Sequence, residues 1–468
     1  MLFCSMTFIY IFLPIVCILC WLSKDELHNY ILLIASILFY AWGEPNYLVI
    51  MLFIILTNYY GAICINRTRN FIHRKIILFI SILLDISCLF YFKYFNFIVE
   101  NINVLLSTHI KFINIVMPIG ISFYTFQAMS YLIDVYRDEV KVQKDIYKLA
   151  LYICLFPQLI AGPIVKYRDI GELIESREIK FEKVVYGFKR FIIGLSKKML
   201  LANTLGEIAD KIFNQPVEQF DCIISWIGAF AYTFQLFYDF SGYSDMAIGL
   251  GSIFGFKFLE NFNYPYISKS ITEFWRRWHI SLSTWFKEYL YIPLGGNRVN
   301  KKRNYFNLLI VFFATGIWHG ASWNFVLWGL WHGMFIIFEK ITAFEKVKDG
   351  IKIRFLQHIY TIFVVIIGWI MFRAENMNYA WNYIKNMFGL IKNHQEIYKF
   401  VYYIDNIQIT VFIVAFICAM PTFRDMLRIK YRYRIQHALV NVWIIALFVI
   451  STAAIAASTY NPFIYFRF

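Results

Sequence analysis

The chain has 468 residues, of which 60% are hydrophobic and 16% are charged, a balance outside that of soluble domains. Its 49 Phe, 33 Tyr and 13 Trp also exclude the low hydrophobicity of disordered chains. The net charge of +15 indicates cytoplasmic loops near anionic headgroups of a lipid bilayer, and we expect no nucleic-acid partner because no basic stripe lies outside this pattern. We therefore predict an all-α polytopic membrane protein.

The first 22 residues are uncharged. They lack the basic region and the small-residue cleavage site of a signal peptide, so we expect a retained first helix. The cysteines lie almost entirely in apolar runs, where a free thiol behaves as a small hydrophobe. Cys17 and Cys20 form a CxxC without a second ligand pair at zinc spacing, and we expect no metal site.

Ten further apolar segments follow, and the two longest exceed the length of one spanning helix. They cover residues 30–42, 47–65, 76–92, 112–133, 147–165, 222–258, 307–338, 355–372, 408–423 and 438–459. Basic stretches at 67–75, 166–211 and 276–303 separate them, and the positive-inside rule places all three in the cytoplasm.

If residues 149–165 crossed the membrane, they would place the basic stretch 166–211 outside the cytoplasm, which conflicts with this topology. They contain Pro157 and Gly162-Pro163, and broken backbone at membrane depth is tolerated only inside protein or along a water-filled cavity. We interpret the segment as re-entrant. It predicts a core with a cavity.

Residues 271–290 carry aromatic side chains at helical spacing, with basic and polar residues on the other side. We expect one amphipathic helix at the cytoplasmic interface. It includes His279, which follows a Trp-Arg-Arg-Trp run. This position suits either packing or a role at the entrance for an acyl donor.

His319 lies within a long apolar run between small residues, including Gly316 and Gly320. A polar residue in such a run is a functional hypothesis. Imidazole could act as a general base that takes a proton from an acceptor hydroxyl. The alternative is a neutral histidine hydrogen-bonded between helices, and the residues alone favour neither. His332 would face another way on one continuous helix, roughly 220° round the axis, and we interpret it as structural.

Asp239 and Asp245 lie in another apolar run. A charge at mid-membrane is costly, so we expect both to face protein or water, paired with the nearby arginines or capping a broken helix rather than catalysing acid–base chemistry. The glycines at 249, 251 and 255 miss the dinucleotide spacing and predict close helix packing. Two function classes remain: an intramembrane transferase and a transporter. The absence of related halves modestly favours the transferase.

At these residues the chain resembles the membrane-bound O-acyltransferase family, most of all its bacterial branch typified by alginate O-acetylation protein I. The resemblance extends along most of the chain. It is carried by residues 118–124, 156–163, 240–245, 262–265, 273–296 and 316–333.

The resemblance implies one acyltransferase domain over 1–468, a ring of transmembrane helices around slanted and re-entrant ones, and a central funnel or tunnel. His319 and His279 match the family's catalytic histidines. The implied donor is acetyl-CoA or another acyl thioester on the cytoplasmic side, without a metal. The acceptor is an envelope or secreted polysaccharide outside the inner (cytoplasmic) membrane, reached with an extracytoplasmic SGNH-hydrolase-like partner. D-alanyl transfer to teichoic acid is the competing branch.

Overall fold

The structure is a computed structural model that describes residues 1–344, 350–391, 398–421, 433–458 and 460. These residues form helices and connecting loops, with no strand among them. Contacts group the chain into two compact units, 1–191 with 244–260 and 192–243 with 261–468. The single domain over 1–468 stays a prediction.

The first unit contains nine helices and parts of two more. They are α1 (Leu13–Leu22), α2 (Asp25–Ala41), α3 (Leu48–Arg67), α4 (Phe71–Leu89), α5 (Phe95–Leu106), α6 (Ile121–Tyr136), α7 (Ile146–Cys154), α8 (Phe156–Leu159), α9 (Tyr167–Glu175), the first part of α10 (Phe181–Ser196) and the last part of α12 (Cys222–Ile253). Helices α3, α4 and α6 pack on one another, and α2 packs on α7. The first run is helical as expected, with a π-helical stretch at Phe8–Phe12 before α1.

The second unit holds the remaining helices of the described chain. They are α11 (Asn203–Phe213), α13 (Ile271–Arg277), α14 (Ile280–Phe286), α15 (Lys301–His319), α16 (Trp323–Ile341), α17 (Ile351–Arg373), α18 (Met377–Met387), α19 (Phe400–Tyr403), α20 (Asn406–Cys418) and α21 (Tyr433–Ala457), with π-helical stretches at Lys197–Ala202 and Lys287–Tyr291. Helices α15 and α16 pack closely on each other, and α13 packs against α16 and α17.

Four helical stretches of the described chain are long and apolar enough to cross a membrane. They are Pro45–Arg67, Phe71–Leu106, Ile351–Arg373 and Ala438–Ala457. Many of their large apolar side chains are exposed, such as Phe79 and Trp443, each about two-thirds accessible. Because exposed apolar faces on helices of spanning length fit a lipid environment, the chain is a membrane protein.

One of the two longest apolar segments differs from its prediction. Residues 222–258 contain a single 32-residue helix, α12, instead of two shorter ones. Residues 307–338 do contain two helices, α15 and α16, as expected. The interruption there is residues 320–322, where Ser322 is the N-cap of α16 and its Oγ accepts from the backbone amide of Asn324.

The segment 149–165 has the broken backbone that its prolines predict. α7 ends at Cys154, and Pro157 occupies the first turn of the short α8, where a missing amide hydrogen costs nothing. Every residue from Leu151 to Lys166 is buried within the first unit. The segment is therefore an interior element of its unit, while its re-entry into the membrane stays a prediction.

Candidate active site

Helix α13 begins at a double cap. Ser270 Oγ accepts from the backbone amide of Glu273. The carboxylate of Glu339, near the end of α16, accepts from the backbone amides of Ile271 and Thr272 at 2.5 and 3.0 Å, and from the Thr272 hydroxyl at 2.7 Å. A carboxylate at a helix N-terminus accepts hydrogen bonds from backbone amides that have no partner within the helix, and its negative charge interacts favourably with the helix dipole. Glu339 is 3% exposed, so this contact fixes α13 firmly on α16.

The predicted helix over 271–290 is interrupted at His279. α13 ends at Arg277, and α14 begins at Ile280. His279 itself has φ 43° and ψ 55°, the left-handed region, which non-glycine residues adopt rarely and at a cost of about 1–3 kcal/mol. The prediction of one continuous helix was wrong because the aromatic spacing is kept across two short helices that share a buried face.

Asn261 contacts the turn at His279 from the preceding loop. Its Oδ1 lies 3.2 Å from His279 Nδ1, and it accepts from the Ser281 backbone amide at 3.2 Å and the Ser281 hydroxyl at 2.9 Å. Its backbone carbonyl accepts from the Ile280 amide at 3.0 Å. These four contacts support the left-handed turn and determine where the imidazole points.

The His279 imidazole is surrounded by aromatic rings. It is 1% exposed. Ring centroids lie 4.5 Å away at Phe240, 6.5 Å at Phe262 and 6.1 Å at Trp318. His279 is outside the four candidate spans, and burial lowers its pKa to about 3, because a charged imidazole loses its hydration there. Nε2 has no hydrogen-bond partner within the described residues, so a neutral ring offers this atom to a ligand.

His319 is the last residue of α15 and stands where the helix turns back into α16. The two helices approach closely because Gly316 and Gly329 carry no side chain. A Cβ at Gly329 would collide with the Phe312 carbonyl, and one at Gly316 with the Phe325 carbonyl. Small residues at a helix interface allow such backbone contact. The hairpin places His319 beside the side chains of both helices.

The His319 ring is 7% exposed and packs edge to face on three aromatic rings. Centroids lie 4.9 Å away at Trp318, 4.9 Å at Trp328 and 5.3 Å at Phe372. Trp318 is thus a neighbour of both candidate histidines, since its indole also contacts His279. The structure brings the two predicted site residues into one aromatic cluster of the second unit.

His332 does not lie on one continuous helix with His319, as the geometric argument had assumed, because α15 ends at His319. Its ring is fully buried and packs on Trp275 at 5.2 Å and Trp328 at 5.3 Å. Trp328 therefore contacts both histidines. The calculation for one continuous helix therefore does not apply, and both histidines contact one indole from different helices. The structural role of His332 stays an interpretation.

Both carboxylates of α12 are ion-paired: Asp245 has an arginine partner, as expected, whereas Asp239 has a lysine partner. In the second unit Lys198 lies 2.6 Å from Asp239, and both side chains are 2% exposed. In the first unit Arg190 lies 2.6 Å from Asp245 and 2.6 Å from the more exposed Glu260. These pairs explain how α12 carries charge through its apolar length, because a paired buried charge avoids most of the penalty of an isolated one.

The predicted close packing of glycines is found within the first unit. A Cβ at Gly249 would meet the backbone of Gly187 and Phe191, and one at Gly251 would meet the ring of Phe258. Gly255 differs, since its φ of 83° marks the turn after α12.

Sequence reasoning missed Asn261 and Glu339. Asn261 directly precedes the Phe-Asn-Tyr-Pro motif at 262–265, and this adjacency was the one signal pointing to it. Glu339 had the signal of an acidic residue near the end of an apolar run. Its partner α13 begins 68 residues earlier, a separation that no local pattern reveals.

A model of the membrane-bound O-acyltransferase family matches residues 47–381, which include both histidines. The chain belongs to the membrane-bound O-acyltransferase family. As a member of that family it is an acyltransferase. The match extends through the broken helix at His279 and the α15–α16 hairpin.

Relatives within and beyond the acetylating branch agree with this membership. The chain is 42% identical to "Probable alginate O-acetylase AlgI" of Pseudomonas aeruginosa over 83% of this chain and 75% of the relative. It is 37% identical to the protein of the same name from Pseudomonas putida over the full length of both. It is 34% identical to "Peptidoglycan O-acetyltransferase" of Helicobacter pylori, over 83% and 80%. Similarity to "Teichoic acid D-alanyltransferase" of Bacillus subtilis is 29% over half of this chain.

Proposed function

We propose that this membrane-bound O-acyltransferase moves an acetyl group from a cytoplasmic thioester to a hydroxyl of an envelope or secreted polysaccharide. The observation that carries the proposal is the aromatic cluster in which the buried rings of His279 and His319 both contact Trp318. Two buried imidazoles beside one indole suit a proton-transfer reaction shielded from water. The names of the acetylating relatives support acetyl as the acyl group.

In the proposed reaction His319 acts as the general base. Its imidazole takes the proton of the acceptor hydroxyl while the hydroxyl oxygen attacks the thioester carbonyl carbon. The carbon–sulfur bond then breaks, and the proton passes from His319 to the departing thiolate, so the products are an ester and a thiol. His279 contacts the reacting groups through Nε2, the ring nitrogen that lacks a partner within the described residues.

The donor reaches this centre from the cytoplasm, and the acceptor from the opposite face of the inner membrane. Positive charge at 166–211 and 276–303 supports this orientation. We propose that the family's ring of helices, with its funnels and tunnel, surrounds the centre over the single domain 1–468. An extracytoplasmic SGNH-hydrolase-like partner completes transfer to the polymer. Acetyl-CoA or another acyl thioester serves as the donor, without a metal.

The direct test uses proteoliposomes with thioester on the face that carries Lys180. A hydroxyl acceptor enclosed on the other face should become acetylated while the freed thiol stays with the donor. His319→Ala should abolish the ester, whereas the exposed His73→Ala on α4 should not. Accumulation of the thiol carrier on the acceptor side before any ester forms would instead indicate a transporter.

The polymer is identified in the producing cells. Deletion of the gene, followed by mild-base release of esters from each envelope glycan, should leave one polymer without acetate. Loss of D-alanine instead would assign the chain to the function named for the Bacillus subtilis relative.

A further inference from the structure

The contacts of Asn261 identify which of its side-chain atoms faces His279. The atom 3.2 Å from His279 Nδ1 also lies 3.2 Å from the Ser281 backbone nitrogen. A backbone N–H only donates, so this atom has to accept. In a neutral amide the oxygen accepts and the nitrogen does not. The atom facing the imidazole is therefore the carbonyl oxygen.

The same oxygen determines which imidazole nitrogen carries the proton. The Ser281 hydroxyl lies nearer to Asn261 Oδ1, at 2.9 Å, than to His279 Nδ1, at 3.5 Å, so its hydrogen goes to the amide oxygen. An unprotonated Nδ1 would face that oxygen lone pair to lone pair inside a buried site. A protonated Nδ1 donates to it. In a neutral ring the other nitrogen, Nε2, then holds a lone pair.

We infer that Asn261 is a positioning residue that holds His279 as the tautomer protonated on Nδ1, so that Nε2 faces the substrate as a hydrogen-bond acceptor. The inference rests on the proposed function and excludes one role within it. A ring with this tautomer cannot donate from Nε2 to the acyl oxygen as an oxyanion-hole group would. His279 therefore orients the substrate by accepting a hydrogen bond from it, while the proton of the attacking hydroxyl goes to His319.

The surroundings of His279 support a fixed neutral ring. Phe240 on α12, Trp318 on α15 and Phe262 in the loop contact it, and Ser281 is on α14. All are uncharged. The backbone on either side is held by two further bonds, Ile280 N–H to the Asn261 carbonyl and Asn263 N–H to the Arg277 carbonyl, at 3.0 and 2.9 Å. The turn and the tautomer are thus fixed by one short loop.

Two substitutions separate tautomer control from simple packing. Asn261→Leu keeps the branching at Cγ and removes the acceptor, so kcat should fall about 10- to 100-fold, the range for partners that orient metal-bound histidines. Asn261→Asp keeps an acceptor facing Nδ1 and adds negative charge, which favours the imidazolium. It should retain more activity than Asn261→Leu, and the acidic limb of its kcat/KM profile should move to higher pH.

The matched control is Asn263→Asp, because Asn263 is an exposed asparagine in the same loop whose described contacts use its backbone. It should leave kcat and the pH profile unchanged. Thermal unfolding of each detergent-purified variant checks folding. If Asn261→Leu retains wild-type kcat, or if Asn261→Asp folds normally but shows the wild-type pH profile, the inference is wrong.

His279→Ala distinguishes this inference from the proposed function. If His279→Ala is inactive while Asn261→Leu is fully active, only the tautomer assignment fails. If folded His279→Ala has wild-type activity, the role of His279 in the proposed function fails together with the inference.

Discussion

The indole of Trp318 contacts His279 with ring centroids 6.1 Å apart, although Trp318 is on α15 and His279 lies between α13 and α14. His319 follows Trp318 in the chain and lies 4.9 Å from the same ring. A displacement of this indole therefore changes the surroundings of both imidazoles. The first prediction tests the histidine that sits beside it.

His319→Ala should reduce acyl transfer by about 10² to 10⁴, the usual contribution of a general base. The substitution removes the base without adding bulk or charge, so the protein should still fold and insert. Purified variant and wild type are compared by ester formation from a thioester donor, with the surface variant His73→Ala as the histidine control. Near-normal transfer by folded His319→Ala would refute the catalytic assignment.

Lys198→Met should destabilise the protein by about 3 to 5 kcal/mol, because it removes the cation that lies 2.6 Å from the buried Asp239 carboxylate. Lys198→Met combined with Asp239→Leu removes both charges and should recover most of that loss. Unfolding in detergent compares wild type, Lys198→Met, Asp239→Leu and the double variant as a double-mutant cycle. Equal stability of the single and double variants would show that the pair, 2.6 Å apart, is not a coupled unit.

Gly329→Ala should destabilise the α15–α16 hairpin by about 1 to 3 kcal/mol or more, since its Cβ would collide with the Phe312 carbonyl. Transfer activity should also fall, because the hairpin positions His319. Gly350→Ala is the control, with 4.0 Å between the new Cβ and the nearest atom, Ile353 Cδ1. A fully stable and active Gly329→Ala protein would show that the helices can separate at no cost.

Lys180 and Lys301 are both exposed and lie in basic stretches, so we predict that they face the cytoplasm. Single cysteines at these positions, in a background without native cysteines, should resist impermeant thiol reagents in intact cells. They should react once the cells are permeabilised. Labelling of either position in sealed cells would contradict the orientation given by the positive-inside rule.

Stability should decrease at acidic pH in part through His279. Burial holds its pKa in the folded protein at about 3, against an ordinary value of 6.5. Between pH 6.5 and pH 3 the His279 side chain therefore binds a proton in the unfolded chain but not in the folded chain. The free energy of unfolding is unaffected by titration of this residue above pH 6.5 and decreases progressively as the pH falls toward 3. His279→Gln should show a smaller decrease in Tm between pH 7.5 and pH 5 than wild type. An unchanged decrease would mean that His279 is not held neutral.

Local patterns predicted most helices and the break at Pro157, because periodicity and proline chemistry act over a few residues. They also predicted partners for Asp239 and Asp245, since a lone charge in an apolar run is too costly. They could not predict that one helix carries both, nor which cations on other segments, Lys198 and Arg190, pair with them.

The candidate site shows the same division. The sequence predicted His279 and His319 as site residues and showed the helical spacing of the aromatic side chains around His279. The left-handed backbone at His279 was not, because it depends on Asn261, eighteen residues away. The helical spacing of aromatic residues continues across the break at His279, so the spacing does not reveal the break. The contact with Asn261 spans a loop and produces no periodic pattern in the sequence.

The double cap on α13 has a mechanical consequence. Glu339 joins the first turn of α13 to α16, and α16 also carries Trp328, whose ring lies against His319. Asn261 contacts His279, His279 contacts Trp318 on α15, and α16 is joined back to α13 through Glu339. These contacts connect the segments around the two imidazoles, and none of them involves a substrate. The site is therefore already arranged before a substrate binds. Because these contacts hold the backbone around the two imidazoles, a larger acyl chain would have to gain space through rearrangement of side chains.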